Sequence, residues 1–147
     1  MIFSNKYILI NKSDLLKIST SLKKSSRIIL HKKNSVQQEM IIAQKKNYYY
    51  PIKKNIQSDQ TFTLLHGKLL LLIFDNKGKI IKKVLLQKNK NIICRIKKNT
   101  YHCDIALSNI AIHLETKFGI FTKKTNKFAN FKNSIEIINK ELKNIKY

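Results

Sequence analysis

Arginine, acidic side chains, cysteine, glycine and proline are all scarce in this 147-residue chain, and each shortage removes a class of protein. Arg27 and Arg95 are the only arginines, so 28 of the 30 basic residues are lysines. Recognition of bases and phosphates favours the forked guanidinium. The formal charge of +22 therefore reads as composition more than as a nucleic-acid footprint. Lysine, isoleucine and asparagine are raised together throughout, which adenine- and thymine-rich coding produces without any selection on binding. A basic nucleic-acid-binding module stays as an alternative, but nucleic acid is not the expected partner. Cys94 and Cys103 lie in apolar, strand-like segments, so neither a disulfide framework nor a zinc-binding cysteine spacing is present. The setting they imply is reducing and cytoplasmic. There is no nucleotide-binding glycine loop and no serine nucleophile motif. The Tyr7-Ile8-Leu9-Ile10 run is too short for the core of a signal peptide, and no apolar run nears membrane-spanning length. A chain without a membrane span is expected.

What is present is strand. Residues 60–86 hold two runs rich in Leu, Ile and Phe, broken by Gly67 and by the turn signal Asp75-Asn76-Lys77-Gly78. That is the composition of buried strands joined by a hairpin. Upstream, Ile28-Ile29-Leu30-His31 and Val36 to Ala43 flank a Lys-Asn turn, and Tyr48-Tyr49-Tyr50 precede the lone Pro51. Three tyrosines beside lysines can stack on bases, yet alternation between core and surface is the expected role here. Downstream come Asn91 to Ile96, Tyr101 to Leu107 and Ile110 to Glu115, again short and strand-like. Strands at this spacing point to an antiparallel barrel or sandwich.

Two segments depart from that pattern. Ser13, Asp14 and the stripe Leu15, Leu16, Ile18, Leu22 suit a short capped helix, preceded by an edge strand or loose arm over residues 1–10. In the tail, Asn133 with Glu136 resembles a capping box. Ile135, Ile138, Leu142 and Ile145 recur at helical spacing, so an amphipathic terminal helix packed on the barrel or on a second subunit is expected.

The most informative polar set lies in the last strand pair. A turn over residues 107–110 sets His102 opposite Glu115 and Asp104 opposite His113, all four on one face. The other face carries Tyr101, Cys103, Ile105, Leu107, Ile110, Ile112 and Leu114. Either the apolar face is the core and the polar four are solvated, or the polar face lines a cavity and another layer covers the apolar face. In the second case two imidazoles and two carboxylates can ligate a divalent metal or act as an acid-base set. His66 shares parity with Gln60, and His31 completes the histidine inventory.

The strand from Gln60 to Gly67 has the spacing of the first cupin motif, and the turn and strand ending in His102 resemble the second. More narrowly, residues 27–131 resemble the WbuC family of cupin-fold metalloproteins. The resemblance rests on Leu30-His31, Val36-Gln37 with Met40, Tyr50-Pro51, Gly67 with Phe74-Asp75 and Gly78, Tyr101-His102, Ala106-Leu107, Leu114-Glu115 with Lys117, and Lys127-Phe128-Ala129 with Phe131. It implies a cupin-type jelly-roll barrel, commonly a homodimer; with the two helices read above, the expected fold is mainly β, with a short N-terminal helix and a C-terminal amphipathic helix. It also implies a neighbourhood of surface-polysaccharide (O-antigen) biosynthesis and a metal held by His residues and a Glu. The expected organisation is an arm and helix over 1–26, the barrel over 27–131 and the terminal helix over 132–147.

The departures from the family pattern bear on chemistry. After Pro51 the family has His-x-His, whereas this chain has Ile52-Lys53-Lys54; Gln60 replaces the motif Glu, and Lys97 and Asn99 replace the turn Pro and Gly. Only His102 remains of the family's metal ligands, with Glu115 as a further candidate. A single imidazole beside Lys54 disfavours a divalent transition metal, so no cofactor is expected. Lys54 with Gln60 instead suits an anionic or sugar-like small molecule. The pocket candidates are His31, Lys54, Gln60, His66, His102, Asp104, His113 and Glu115. The alternative is an active metal-dependent sugar-modifying enzyme using His102 and Glu115.

Overall fold

The computed structural model describes residues 1–20, 23–122 and 124–145. Its elements run β1 (Ile2–Phe3), β2 (Ile8–Leu9), α1 (Lys12–Thr20), β3 (Ser25–Ile29), β4 (Gln37–Lys45), β5 (Lys53–Asn55), β6 (Gln60–His66), β7 (Lys68–Phe74), β8 (Ile80–Gln87), β9 (Ile93–Ile96), β10 (Tyr101–Ala106), β11 (Ile110–Phe118), β12 (Asn126–Phe128) and α2 (Ser134–Asn144). Two antiparallel five-stranded sheets face each other, ordered β3-β4-β11-β6-β9 and β12-β5-β10-β7-β8. From β4 onward the chain passes between sheets at nearly every connection, the β7–β8 hairpin excepted. This is the expected jelly roll.

The continuous apolar run of β7 is explained by burial on both faces. Leu69 and Leu71 point between the sheets with Phe62, Leu86, Ile96, Ala106 and Ala111. Leu70, Leu72 and Phe74 point outward, into a cluster with Ile105, Leu107 and Ile138. A strand lined on both sides has no polar face to alternate with. Asp75 closes the hairpin by accepting from the backbone N–H groups of Lys77 and Lys79, each at 2.9 Å, and Gly78 supplies the left-handed φ of 88°. Gly67, with φ of 79°, lets the chain cross from one sheet to the other. A Cβ there would run into the Ile110 carbonyl and the Ser108 hydroxyl.

The helices serve as outer layers. Leu15 and Ile18 of α1 pack with Ile28, Ile41, Ala43 and Ile112 on the outside of the first sheet. Ile138 of α2, 2% exposed, enters the outer cluster of the second sheet beside Ile137, Leu142 and Ile145. Among the described residues no helix is long and apolar enough to cross a membrane. The first ten residues form a small ribbon, with Ile2 paired to Leu9 and Phe3 to Ile8.

Several local expectations change. Strands β10 and β11 are not a hairpin: β10 pairs with β5 and β7, and β11 with β4 and β6. The turn after Leu107 carries the chain across the sandwich instead, so the expected cross-strand pairs His102–Glu115 and Asp104–His113 do not form. Helix α1 begins one residue before Ser13, and Asn11 is its cap. The Asn11 Oδ1 accepts from the Asp14 N–H at 2.9 Å, and Asp14 accepts in return from the Asn11 N–H at 3.2 Å. Leu22, expected on the helix stripe, lies outside the described residues. At α2, Asn133 adopts a left-handed conformation (φ 63°) and makes no side-chain cap. Ile135 is 62% exposed, and Ile137 takes its place against the sheet.

Leu71→Ala removes a fully buried side chain from the inter-sheet layer. It should cost about 2–5 kcal/mol in urea unfolding, whereas Ile81→Ala, at an exposed position, should change stability by less than about 0.5 kcal/mol.

Candidate functional site

Inward-facing residues change character along the sandwich. Near Gly67 they are Leu69, Ala106 and Ala111. Toward the opposite end they become polar, because β10 contributes His102 and Asp104 and β11 contributes His113, Glu115 and Lys117 on the same parity. All five are 7% exposed or less. Register fixes their neighbours: Lys117 lies between Gln38 and Gln60, and Glu115 between Met40 and Phe62. From the facing sheet, Lys53 pairs with His102. The second alternative for the alternating strand pair is therefore the one observed: the polar face lines the interior, and the apolar faces are covered from outside.

The four polar candidates share this interior. Asp104 accepts from the Gln44 amide at 2.9 Å. The rings of His102 and His113 lie 5.8 and 5.6 Å from that of Phe62. His102 Nδ1–H donates to the Thr100 carbonyl at 3.0 Å, which leaves the Nε2 lone pair facing inward without a partner. Both ring nitrogens of His113, both amide atoms of Gln60 and the Oε1 atoms of Gln38 and Gln44 are likewise buried and unpartnered within the protein. Each such atom costs about 1–3 kcal/mol when left unsatisfied.

Burial is the main force on the ionisable groups. It pushes both imidazoles below their ordinary value; Lys53 adds to this, and Asp104 and Glu115 oppose it. Burial alone would raise the Glu115 carboxyl, but Lys53 and Lys117 hold it below the usual glutamate range. Glu115 and Lys117 approach to 3.9 Å, with both side chains 3% exposed. Above this pair a cavity of about 270 Å³ opens between the sheets. Arg27, Lys53, Glu115 and Lys117 line it, and Tyr50, Phe121 and Phe128 form its walls.

Other candidates fall elsewhere. Lys54 is excluded from the interior: its ammonium sits 4.5 Å from the centre of the outward-packed Tyr101 ring. Strand parity is the reason, since Lys53 and Asn55 point inward and are buried, and Ile52 joins the outer cluster. Lys53, missed by one position, is the inward cation. His66 does not join Gln60, because a register shift between Ile112 and His113 breaks the parity of β6. It lies exposed beside Gly67. His31 is half-buried, its Nδ1 2.8 Å from the Glu39 carbonyl, and lines an adjoining cavity of about 370 Å³ with Arg27, Met40 and Phe121. Arg27 was not singled out as a site residue. Its guanidinium stacks 4.6 Å over the Tyr50 ring.

A resident divalent metal does not fit this donor set. Among the described residues no three His, Cys, Asp or Glu side chains gather around one point. Lys53 opposite His102 adds a positive charge where the ion would sit. His102, Asp104, His113 and Glu115 thus share a compartment without forming a coordination sphere.

No protein-family model matches the chain, and no curated protein matches it in sequence. Solved structures do. Over 72% of this chain and 32% of its own, the capsular polysaccharide assembling protein CapF from Staphylococcus aureus superposes with a TM-score of 0.63 at 14% identity. The chain thus spans about a third of the length of CapF. Protein SO0799 from Shewanella oneidensis matches over 92% of this chain and 95% of its own, with a TM-score of 0.66 at 8% identity. A cupin superfamily protein from Desulfitobacterium hafniense matches over 65% and 78%, with a TM-score of 0.53 at 10% identity. Likeness at these identities shows the fold, and the fold is that of a cupin.

The depressed imidazole values predict acid sensitivity. Between pH 7 and pH 5 the unfolded chain binds protons at His102 and His113 near the ordinary value of about 6.5, whereas the folded protein resists them. Stability should therefore fall as pH falls, by about 1.4 kcal/mol per pH unit for each proton. Urea unfolding across that range should show a shallower dependence in His113→Leu.

Proposed function

We propose that the chain is a small-molecule-binding cupin of WbuC-like type, its barrel taking a sugar-like ligand without a resident metal, in the setting of surface-polysaccharide (O-antigen) biosynthesis. The observation that carries this reading is the set of buried, unpartnered, neutral groups on Gln38, Gln44, Gln60, His102 and His113. Amides and neutral imidazoles offer donors and acceptors side by side. Hydroxyl groups both donate and accept, so a polyol satisfies such a wall better than a purely apolar molecule or a simple ion. The cavity of about 270 Å³ is lined by Lys53 and Lys117, the register neighbours of His102, Gln38 and Gln60, and by Asn126, not by the five residues themselves; its volume lies just under the range of about 300–1,000 Å³ for drug-sized sites, which suits a single ring. The polysaccharide setting draws support from the shared fold with CapF, a capsular polysaccharide assembling protein.

The rival readings have less behind them. A metal-dependent sugar-modifying enzyme built on His102 and Glu115 needs further donors, and Lys117 already pairs with Glu115. A nucleic-acid module needs free guanidinium groups and a stacking platform. Arg95 is held by Asp59 at 3.1 Å, which leaves Arg27 as the one guanidinium outside an ion pair among the described residues. Tyr48 and Tyr50 pack edge to face, and Tyr49 packs against the outer cluster.

Thermal unfolding in the presence of a panel of neutral and acidic monosaccharides is expected to show a raised Tm for at least one of them. Gln60→Leu should abolish that rise while leaving the ligand-free Tm equal or higher, because it removes a buried amide that has no protein partner. A panel without effect contradicts the reading. Stoichiometric zinc, iron, nickel or manganese in protein purified without an affinity tag would favour the metal-dependent enzyme.

A further inference from the structure

The charges around the cavity do not balance. Arg27, Lys53 and Lys117 line it against the single carboxylate of Glu115. Glu115 lies nearest Lys117, at 3.9 Å. None of the ion pairs among the described residues includes Arg27 or Lys53. The next carboxylate inward, Asp104, is tied to the Gln44 amide. Three cations, of which Lys53 and Lys117 are buried and Arg27 is exposed, thus stand over the two buried carboxylates.

Lys53 makes the imbalance costly, since it is only 9% exposed and its nearest aromatic neighbour, Tyr50, is 5.8 Å from its ammonium. Lys53 acts on Glu115 through space, yet among the described residues no carboxylate oxygen stands at ion-pair distance from it, and a buried ammonium without a direct partner is unfavourable. Its position opposite His102 holds it at the boundary between the cationic mouth and the neutral wall of amides and imidazoles. Asn126, which also lines the cavity, keeps a buried Oδ1 without a partner. At the rim Phe121 and Phe128 are more than half exposed, presenting apolar faces where a ring's C–H surface would lie.

We propose that the natural ligand is a hydroxylated monocarboxylate, a sugar acid, whose carboxylate is held by Lys53 and Arg27 while its hydroxyl groups meet the Asn126 side chain and the rest of the cavity lining. The proposal rests on the sugar-binding reading above and adds the charge. The surplus cation is the exposed Arg27 at the mouth, and one negative charge matches it. A phosphate monoester carries about −1.5 to −2 at neutral pH and would overshoot. A neutral sugar leaves Lys53 without a direct ion pair, whereas a carboxylate presents two oxygens suited to the fork of Arg27.

Calorimetric titration with glucuronate, galacturonate, glucuronamide, glucose, galactose and glucose 6-phosphate tests it. At least one uronate should bind at least tenfold more tightly than its parent hexose and, for glucuronate, than its uncharged amide. Its affinity should fall as sodium chloride is raised. Lys53→Met, checked for folding by circular dichroism, should bring the uronate down to the level of the hexose, and Lys54→Met should leave it unchanged. Hexoses that bind as tightly as uronates overturn the sugar-acid assignment and leave the sugar-binding reading standing. Tightest binding by the phosphate ester overturns the single-charge argument. Binding of none of the six overturns both.

Discussion

The structure depends on covering the outside of both sheets. In a plain two-layer sandwich the apolar face of each strand must turn toward the opposite sheet, because nothing else is available to bury it. Here α2 brings Ile138 against Cys103, Ile105 and Leu107, and α1 brings Leu15 and Ile18 against Ile41 and Ile112. With their apolar faces satisfied from outside, β10 and β11 are free to direct His102, Asp104, His113 and Glu115 inward. The same arrangement asks β7 to be apolar on both faces, which its four consecutive leucines provide. Polar interior and helical cover are two sides of one arrangement.

That coupling explains what could be read in the chain beforehand. The strands, the hairpin at Asp75 and Gly78 and both helices were legible, because each rests on local periodicity or turn chemistry. The alternation over residues 101–107 separated two faces correctly, but alternation carries no information about which face is inside. Deciding that requires knowing what packs behind the strand, and the partner residues lie more than thirty positions away in α2. Strand pairing failed for a related reason. A turn of three residues after β10 looks like a hairpin, and only the competition of β5, β7, β4 and β6 for the same edges turns it into a crossing. At Lys53 and Lys54 the error was one residue, enough in a strand to exchange interior for exterior. His66 was misplaced by a bulge, which leaves no trace in parity.

The interior that results is polar, unlike the apolar layer near Gly67. Its imidazoles are kept neutral by burial, Glu115 is held ionised by Lys53 and Lys117, and amides fill positions between them. With Gln60 and Lys53 among its buried inward side chains, the barrel offers mixed donors and acceptors beside ammonium groups. Three apolar clusters surround this interior and hold the scaffold together.

The central claim is that His102 and His113 are enclosed between the sheets and neutral, with the His102 proton on Nδ1. Long-range proton–nitrogen NMR correlation of the imidazoles reads this directly. His102 should show the Nδ1–H tautomer, and neither ring should titrate near the ordinary value of about 6.5 while the protein stays folded. Two rings protonating near that value with rapidly exchanging tautomers would place them in solvent and contradict the account.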